Sequence, residues 1–265
     1  MISVLVAALA IRLNPAQALG IGSTKKSPKG DVELMYIPAG EFTMGSDHNL
    51  NEQPIRKVYL DAYWMAKNLI TVGQFKAFCK AKTYPYDWKK QKPQWGWIDT
   101  HPMVLVNWDD ARAYCRWAGG DLPTEAQFEK AARGTDAREY PWGNRFQATL
   151  LCTNTQSTAP VGSFPKGASP FGCFDMAGNV FEWCLDYYSA NYNGLPDRNP
   201  KGPPTGRGRV LRGGDWGDDN PRSFRTAFRY ADMSSTAPSS GPSDYKPGSI
   251  RSPLYGFRLA VPGYL

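Results

Sequence analysis

The chain has only two histidines, His48 and His101, no Cys-x-x-Cys spacing and no cysteine beyond Cys184. A zinc knuckle and a thioredoxin-like redox pair are thereby excluded, and a histidine-built metal centre has too few donors. Basic residues outnumber acidic ones, 31 to 24, for a net charge of +7, yet they are scattered. Small groups occur at Lys25–Lys26, Lys89–Lys90 and Arg207 to Arg212. The clustered basic element of a nucleic-acid binder is missing, so the charge reads as a solvated surface, with an acidic ligand as the other option. No apolar run approaches the about 20 residues of a membrane-spanning helix.

The apolar run that does exist, Ile2 to Ile11, ends shortly before Ala16-Gln17-Ala18, a small-residue cleavage pattern. Residues 1–18 therefore read as an export signal, although no Lys or Arg precedes the run. The mature chain is expected in the periplasm or secreted, with no integral membrane segment once the signal is removed. Residues 19–30, rich in Ser, Lys, Gly and Pro, read as a linker, and 31–265 as one domain. Five cysteines in an oxidising compartment leave at least one unpaired; Cys152 with Cys173 is the expected disulfide.

What is plentiful is glycine (26), proline (22) and aromatic residues, 9 Trp, 14 Tyr and 12 Phe. That mixture predicts irregular loops and few long helices. Alternation predicts strands at 32–37 and 41–44, a further pairing segment at 56–66, and closing strands at 209–212 and 256–261. Three helices are legible: one capped by Thr71 and running to Lys82, one capped by Asn107 over 108–118, and one capped by Thr124. The last has Gln127 as capping-box partner and Gly134 as its stop. Two segments, 84–99 with its Tyr and Trp residues and the Ser/Pro-rich 232–253, read either as ligand-contacting rims or as surface loops.

Two groups of residues carry chemistry. Asp175 and Glu182 bracket a turn at Ala177-Gly178-Asn179, and two carboxylates around exposed carbonyls suit a hard cation. Further on, Asp215, Asp218 and Asp219 lie among Trp216, Arg222 and Arg225. This cluster could hold a cationic ligand or a hard metal, could supply a general base, or could be a solvated loop. Arg212, Arg225, Arg229 and Arg258 either satisfy buried carbonyls and carboxylates or line a ligand groove.

Taken in order, Phe42-Thr-Met-Gly45, Val106-Asn-Trp-Asp-Asp-Ala111, Leu122-Pro-Thr-Glu-Ala-Gln-Phe-Glu-Lys-Ala-Ala-Arg-Gly134, Asp175-Met-Ala-Gly-Asn-Val-Phe-Glu-Trp183, Arg209-Val-Leu-Arg-Gly-Gly-Asp-Trp216 and Gly256-Phe-Arg258 resemble the formylglycine-generating enzyme, or sulfatase-modifying factor, superfamily. The resemblance covers about residues 31 to 262. It implies a loop-rich α+β fold of the C-type-lectin-like kind and a structural calcium held by Asp175 and Glu182 side chains with the carbonyls of Gly178 and Val180.

The chain departs from that family where its chemistry sits. The copper(I)-binding cysteine pair expected after Arg-Gly-Gly is absent, and Asp215 stands where the family has serine. Soft thiolates are the natural copper(I) ligands, so no copper is expected. Ergothioneine-type chemistry needs histidines from an added helical domain that this chain lacks. The resemblance then implies an exported oxidative tailoring or maturation enzyme, similar to the family's pyoverdine-maturation members, acting on a peptide-derived or aromatic small molecule, with Asp215, Asp218 and Arg225 as catalytic groups and Trp216, Asp219, Arg222 and Arg229 as ligand contacts. The alternative is a non-catalytic binding or accessory module.

Overall fold

A computed structural model of the chain describes residues 19–232 and 246–263. Residues 1–18, the expected export signal, and residues 233–245 of the Ser/Pro-rich segment lie outside the described residues. Strands β1 (Thr24–Lys26), β2 (Glu33–Ile37), β3 (Gly40–Met44), β4 (Arg56–Leu60) and β5 (Tyr63–Ala66) come first. Three helices follow, α1 (Val72–Lys82), α2 (Trp108–Ala118) and α3 (Glu125–Arg133). Five strands close the chain: β6 (Phe181–Tyr187), β7 (Arg209–Arg212), β8 (Tyr230–Asp232), β9 (Tyr255–Gly256) and β10 (Ala260–Pro262).

The strands form a four-stranded sheet β1-β2-β5-β10, a β3-β4 hairpin and a second four-stranded sheet β8-β7-β6-β9. Pairing is antiparallel except between β6 and β9. The presumed linker is corrected here: Thr24–Lys26 pairs with 33–35 as an edge strand, so the domain begins before residue 31. The pairing segment at 56–66 divides into β4 and β5, which belong to different sheets.

All three helices start as their sequences dictate. The side chains of Thr71, Asn107 and Thr124 each accept the N3 backbone amide, and their own backbone amides donate to the N3 side chain, closing three capping boxes. Helices α1 and α2 pack their apolar faces into one core with Trp183, Phe257 and the β2–β5 sheet, while Phe128 and the alanines of α3 enter a second with Phe42, Met65 and Cys184. The aromatic segment 84–99 is neither rim nor plain surface loop in its first half. Tyr86 is buried, and Tyr86, Trp88 and Trp97 meet edge to face, with Phe75 of α1 against Tyr86 and Trp88. Edge contacts of this kind add to area burial because ring edges are positive and faces negative.

The five cysteines are free, so the Cys152–Cys173 disulfide is not formed. Each sits in its own packing environment: Cys173 Sγ lies in the α3 core, whereas Cys152 faces Thr155 Oγ1 at 3.6 Å. Burial raises both thiols, Cys173 to about 11.

Candidate functional site

The carboxylate turn is built by backbone geometry. Gly178 has φ +77°, and a Cβ there would lie 2.5 Å from the Cys152 carbonyl oxygen, so only glycine fits. Asn179 follows at φ +66°, a conformation asparagine tolerates. Its side chain is spent on both backbone groups of Ala159, and its amide donates to Cys152 O. The turn then delivers Glu182 into β6, opposite Arg212.

Glu182 is fully buried, and both its oxygens are taken by Arg258, at 2.6 Å from Nε and 2.7 Å from Nη2. The same guanidinium donates to the carbonyls of Ala66, Phe174 and Asp175. Asp175 Oδ2 accepts the Gly162 amide at 2.7 Å, and the Gly178 carbonyl accepts from Val180 N. Among the described residues no group of three or more His, Cys, Asp or Glu side chains is arranged for a metal ion. Of the expected calcium donors Asp175, Gly178, Val180 and Glu182, the last already pairs with the Arg258 guanidinium. A guanidinium already supplies positive charge there, and the bidentate pair occupies one lone pair on each Glu182 oxygen.

Arg212 ends β7, and Gly213 and Gly214 follow at φ +99° and +78°. A Cβ on Gly214 would meet Phe224 Cδ1 at 2.5 Å. These two glycines reverse the chain, sending Arg212 into the core and Asp215 into the loop beyond. The loop is held by backbone bonds from three sides: Trp216 N to Asn179 O, Thr155 N to Trp216 O and Asn154 N to Asp218 O. The carboxylate turn thus serves as the platform for the candidate site.

Asp215 is 6% exposed, and its Oδ1 accepts the Gly217 amide at 2.8 Å. No basic side chain pairs with it among the described residues. Burial, with a smaller contribution from Asp218, raises its carboxyl above the usual range. Tyr255 lies close enough to be raised by burial and by the neighbouring Tyr230, Asp232 and Asp215. Trp216 donates Nε1–H to Pro253 O at 3.1 Å and meets Trp95 edge to face at 5.3 Å. Trp95 is the part of the aromatic segment that does reach the site. Asp218 is half-buried with Oδ1 on the Asn220 amide, while Asp219 and Arg222 are exposed.

Arg225 and Arg229 do not join them. Arg225 is 3% exposed and clamps Glu52 through Nη1 and Nη2 at 2.8 and 2.7 Å. Arg229, equally buried, clamps Glu125 at 2.6 and 2.8 Å and donates to Ser189 O and Asn51 O. Their expected roles, catalysis for Arg225 and ligand contact for Arg229, are corrected to scaffold ion pairs. A guanidinium that lost its carboxylate to face a ligand would leave a buried charge alone. Arg212 does the same between Glu125 (3.0 Å) and Glu129 (2.7 Å), and Arg133 joins at Glu129 (2.7 Å).

The partners Glu52, Glu125, Glu129 and Tyr255 were missed in the sequence. For α3 a signal existed: Glu125, Glu129 and Arg133 recur every four residues, on a helix where all but Gln127 is buried. Charges at i, i+4 on a buried face require internal partners. His101 is buried with Nδ1 2.9 Å from Thr158 Oγ1.

Residues 22–261 match the sulfatase-modifying factor enzyme 1-like domain. The formylglycine-generating enzyme of Streptomyces coelicolor is 33% identical, over 86% of this chain and 91% of its own length. That of Bos taurus is 30% identical over 82% and 74% respectively. Among solved structures, PvdO from Pseudomonas aeruginosa superposes with a TM-score of 0.77 at 27% identity, over 92% of this chain and 99% of that one. Treponema denticola variable protein 1, at 21% identity and a TM-score of 0.68 over 90% and 98%, shares the fold. The α+β, C-type-lectin-like architecture, the domain match and the identities together show that the chain belongs to the sulfatase-modifying factor (formylglycine-generating enzyme) family.

Proposed function

We propose that the chain is an exported tailoring enzyme that oxidises a peptide-derived or aromatic small molecule, with Asp215 as the proton-accepting group. The single observation that carries this reading is the buried Asp215 carboxyl, raised by burial and without a basic partner among the described residues, beside the Trp216–Trp95 pair. A carboxyl displaced towards neutral pH can exchange a proton with substrate, and a tryptophan wall suits an aromatic ring. In the oxidation the substrate loses two electrons and two protons to dioxygen, which leaves as hydrogen peroxide; Asp215 takes up one of those protons and passes it on to the peroxide, so the carboxylate is regenerated. Asp218, Asp219 and Arg222 at the exposed edge are the ligand contacts in this scheme. The copper(I) route has no part in it, since the loop after Gly214 carries no thiol.

The test uses the purified full chain with tyrosine-containing peptides and simple phenols in air, read by mass spectrometry and peroxide formation. Loss of two hydrogens from at least one probe is expected, with Asp215→Asn slower by roughly 100-fold or more. Equal rates for wild type and Asp215→Asn sink the assignment. A non-catalytic binding module is favoured by a different observation: Gly217 already occupies one Asp215 oxygen, as in an ordinary turn. Tight binding of such a probe with no conversion by either protein would select that reading.

A further inference from the structure

Lys130 is the one fully buried cation among the described residues that has no carboxylate partner. The buried arginines 133, 212, 225, 229 and 258 each pair with a glutamate. Lys130, on α3, is 1% exposed, and Nζ donates only to two backbone carbonyls, Pro38 at 2.7 Å and Gly40 at 2.9 Å. The lysine borders a cleft of about 230 Å³ between the β2–β3 turn and the C-terminal end of α3. Ile21, Pro170 and Phe171 give that cleft apolar walls, and Thr135 with the Asp136–Arg138 ion pair lies at its rim.

We propose that this cleft is a binding site for a small organic carboxylate, with the Lys130 ammonium as its counter-ion and the apolar walls holding the carbon skeleton. An ammonium held by carbonyl dipoles alone carries uncompensated charge, and a carboxylate removes that cost. Burial pulls the Lys130 amine down to about 8, the direction expected of a cation waiting for an anion. The volume lies below the roughly 300–1,000 Å³ of clefts for drug-sized ligands, which limits the occupant to something near a single ring or an amino acid in size. The cleft shares no lining residue with the Asp215–Asp219 loop, so the site is independent of the catalytic reading.

Isothermal titration of the full chain with benzoate and with benzamide tests it. Benzoate is expected to bind and benzamide to bind at least 10-fold more weakly. Lys130→Met should reduce benzoate affinity at least 10-fold. Because that variant also loses the bonds to Pro38 and Gly40 and could unfold, Thr135→Trp serves as the second variant. It is exposed at the rim, leaves Lys130 in place and is expected to block entry with the same loss. The proposal is overturned if the wild type binds neither probe, if it binds both equally, or if folded Thr135→Trp binds benzoate as the wild type does.

Discussion

The carboxylates around α3 and those of the Asp215–Asp219 loop stand in opposite electrostatic conditions. Glu52, Glu125, Glu129 and Glu182 are buried against five guanidinium groups, and every one of the four is matched. Asp215 is nearly as buried and has no cation among the described residues, while Asp218 is half-buried and Asp219 exposed. The first arrangement spends charge on holding loops together in a fold poor in regular structure. The second leaves charge available to a ligand. Both are built of carboxylates, glutamates in the first and aspartates in the second, and an arginine at the right depth marks the first.

Glu125 is the place to break the first arrangement. It accepts from Arg212 and twice from Arg229, with Tyr192 Oη at 3.4 Å. Glu125→Gln keeps the shape and leaves two buried guanidiniums short of charge, for which about 3–5 kcal/mol of lost stability is expected. Denaturant unfolding measures it; a loss under about 1 kcal/mol would show that the ion pairs are incidental to the fold.

Glu52 gives the same comparison a pH axis. Burial alone would raise its carboxyl, but hydrogen bonds from Arg225, Ser46 and Asn49 outweigh that and bring it to about 2. A depressed folded value means the stabilisation is complete above the unfolded value near 4.5 and is lost as pH falls from there towards 2. The shift is worth about 3 kcal/mol. Thermal unfolding between pH 5 and 2 should fall steeply for the wild type and less so for Glu52→Gln. Parallel curves would remove Glu52 as the source.

The frame of this molecule was legible in its sequence because capping boxes and alternation are local. Thr71, Asn107 and Thr124 start helices where their chemistry says, and the stop at Gly134 holds. The split of 56–66 between two sheets, and the edge strand inside 19–30, depend on partners far along the chain and leave no local trace. At the site, Asp215 and Trp216 were found from their unusual company. Arg225 and Arg229 were misplaced because an arginine beside aspartates in sequence looks like a ligand contact. Their true partners, Glu52 and Glu125, lie 173 and 104 residues away. The guanidinium partner of Glu182 was hidden for the same reason: Arg258 is 76 residues beyond it.

Asp215 should respond to neutralisation in the opposite way to Glu125. Its raised carboxyl means that folding already disfavours the ionised form, so an amide costs the fold little. Asparagine at this position retains an oxygen for the Gly217 amide. Asp215→Asn is therefore expected to change unfolding free energy by no more than about 0.5 kcal/mol, the usual range for substitutions that create no cavity or orphaned charge. Its effect on turnover should be far larger. A loss of several kcal/mol instead would mean that Asp215 is one more member of the scaffold and that the contrast between the two carboxylate groups does not exist.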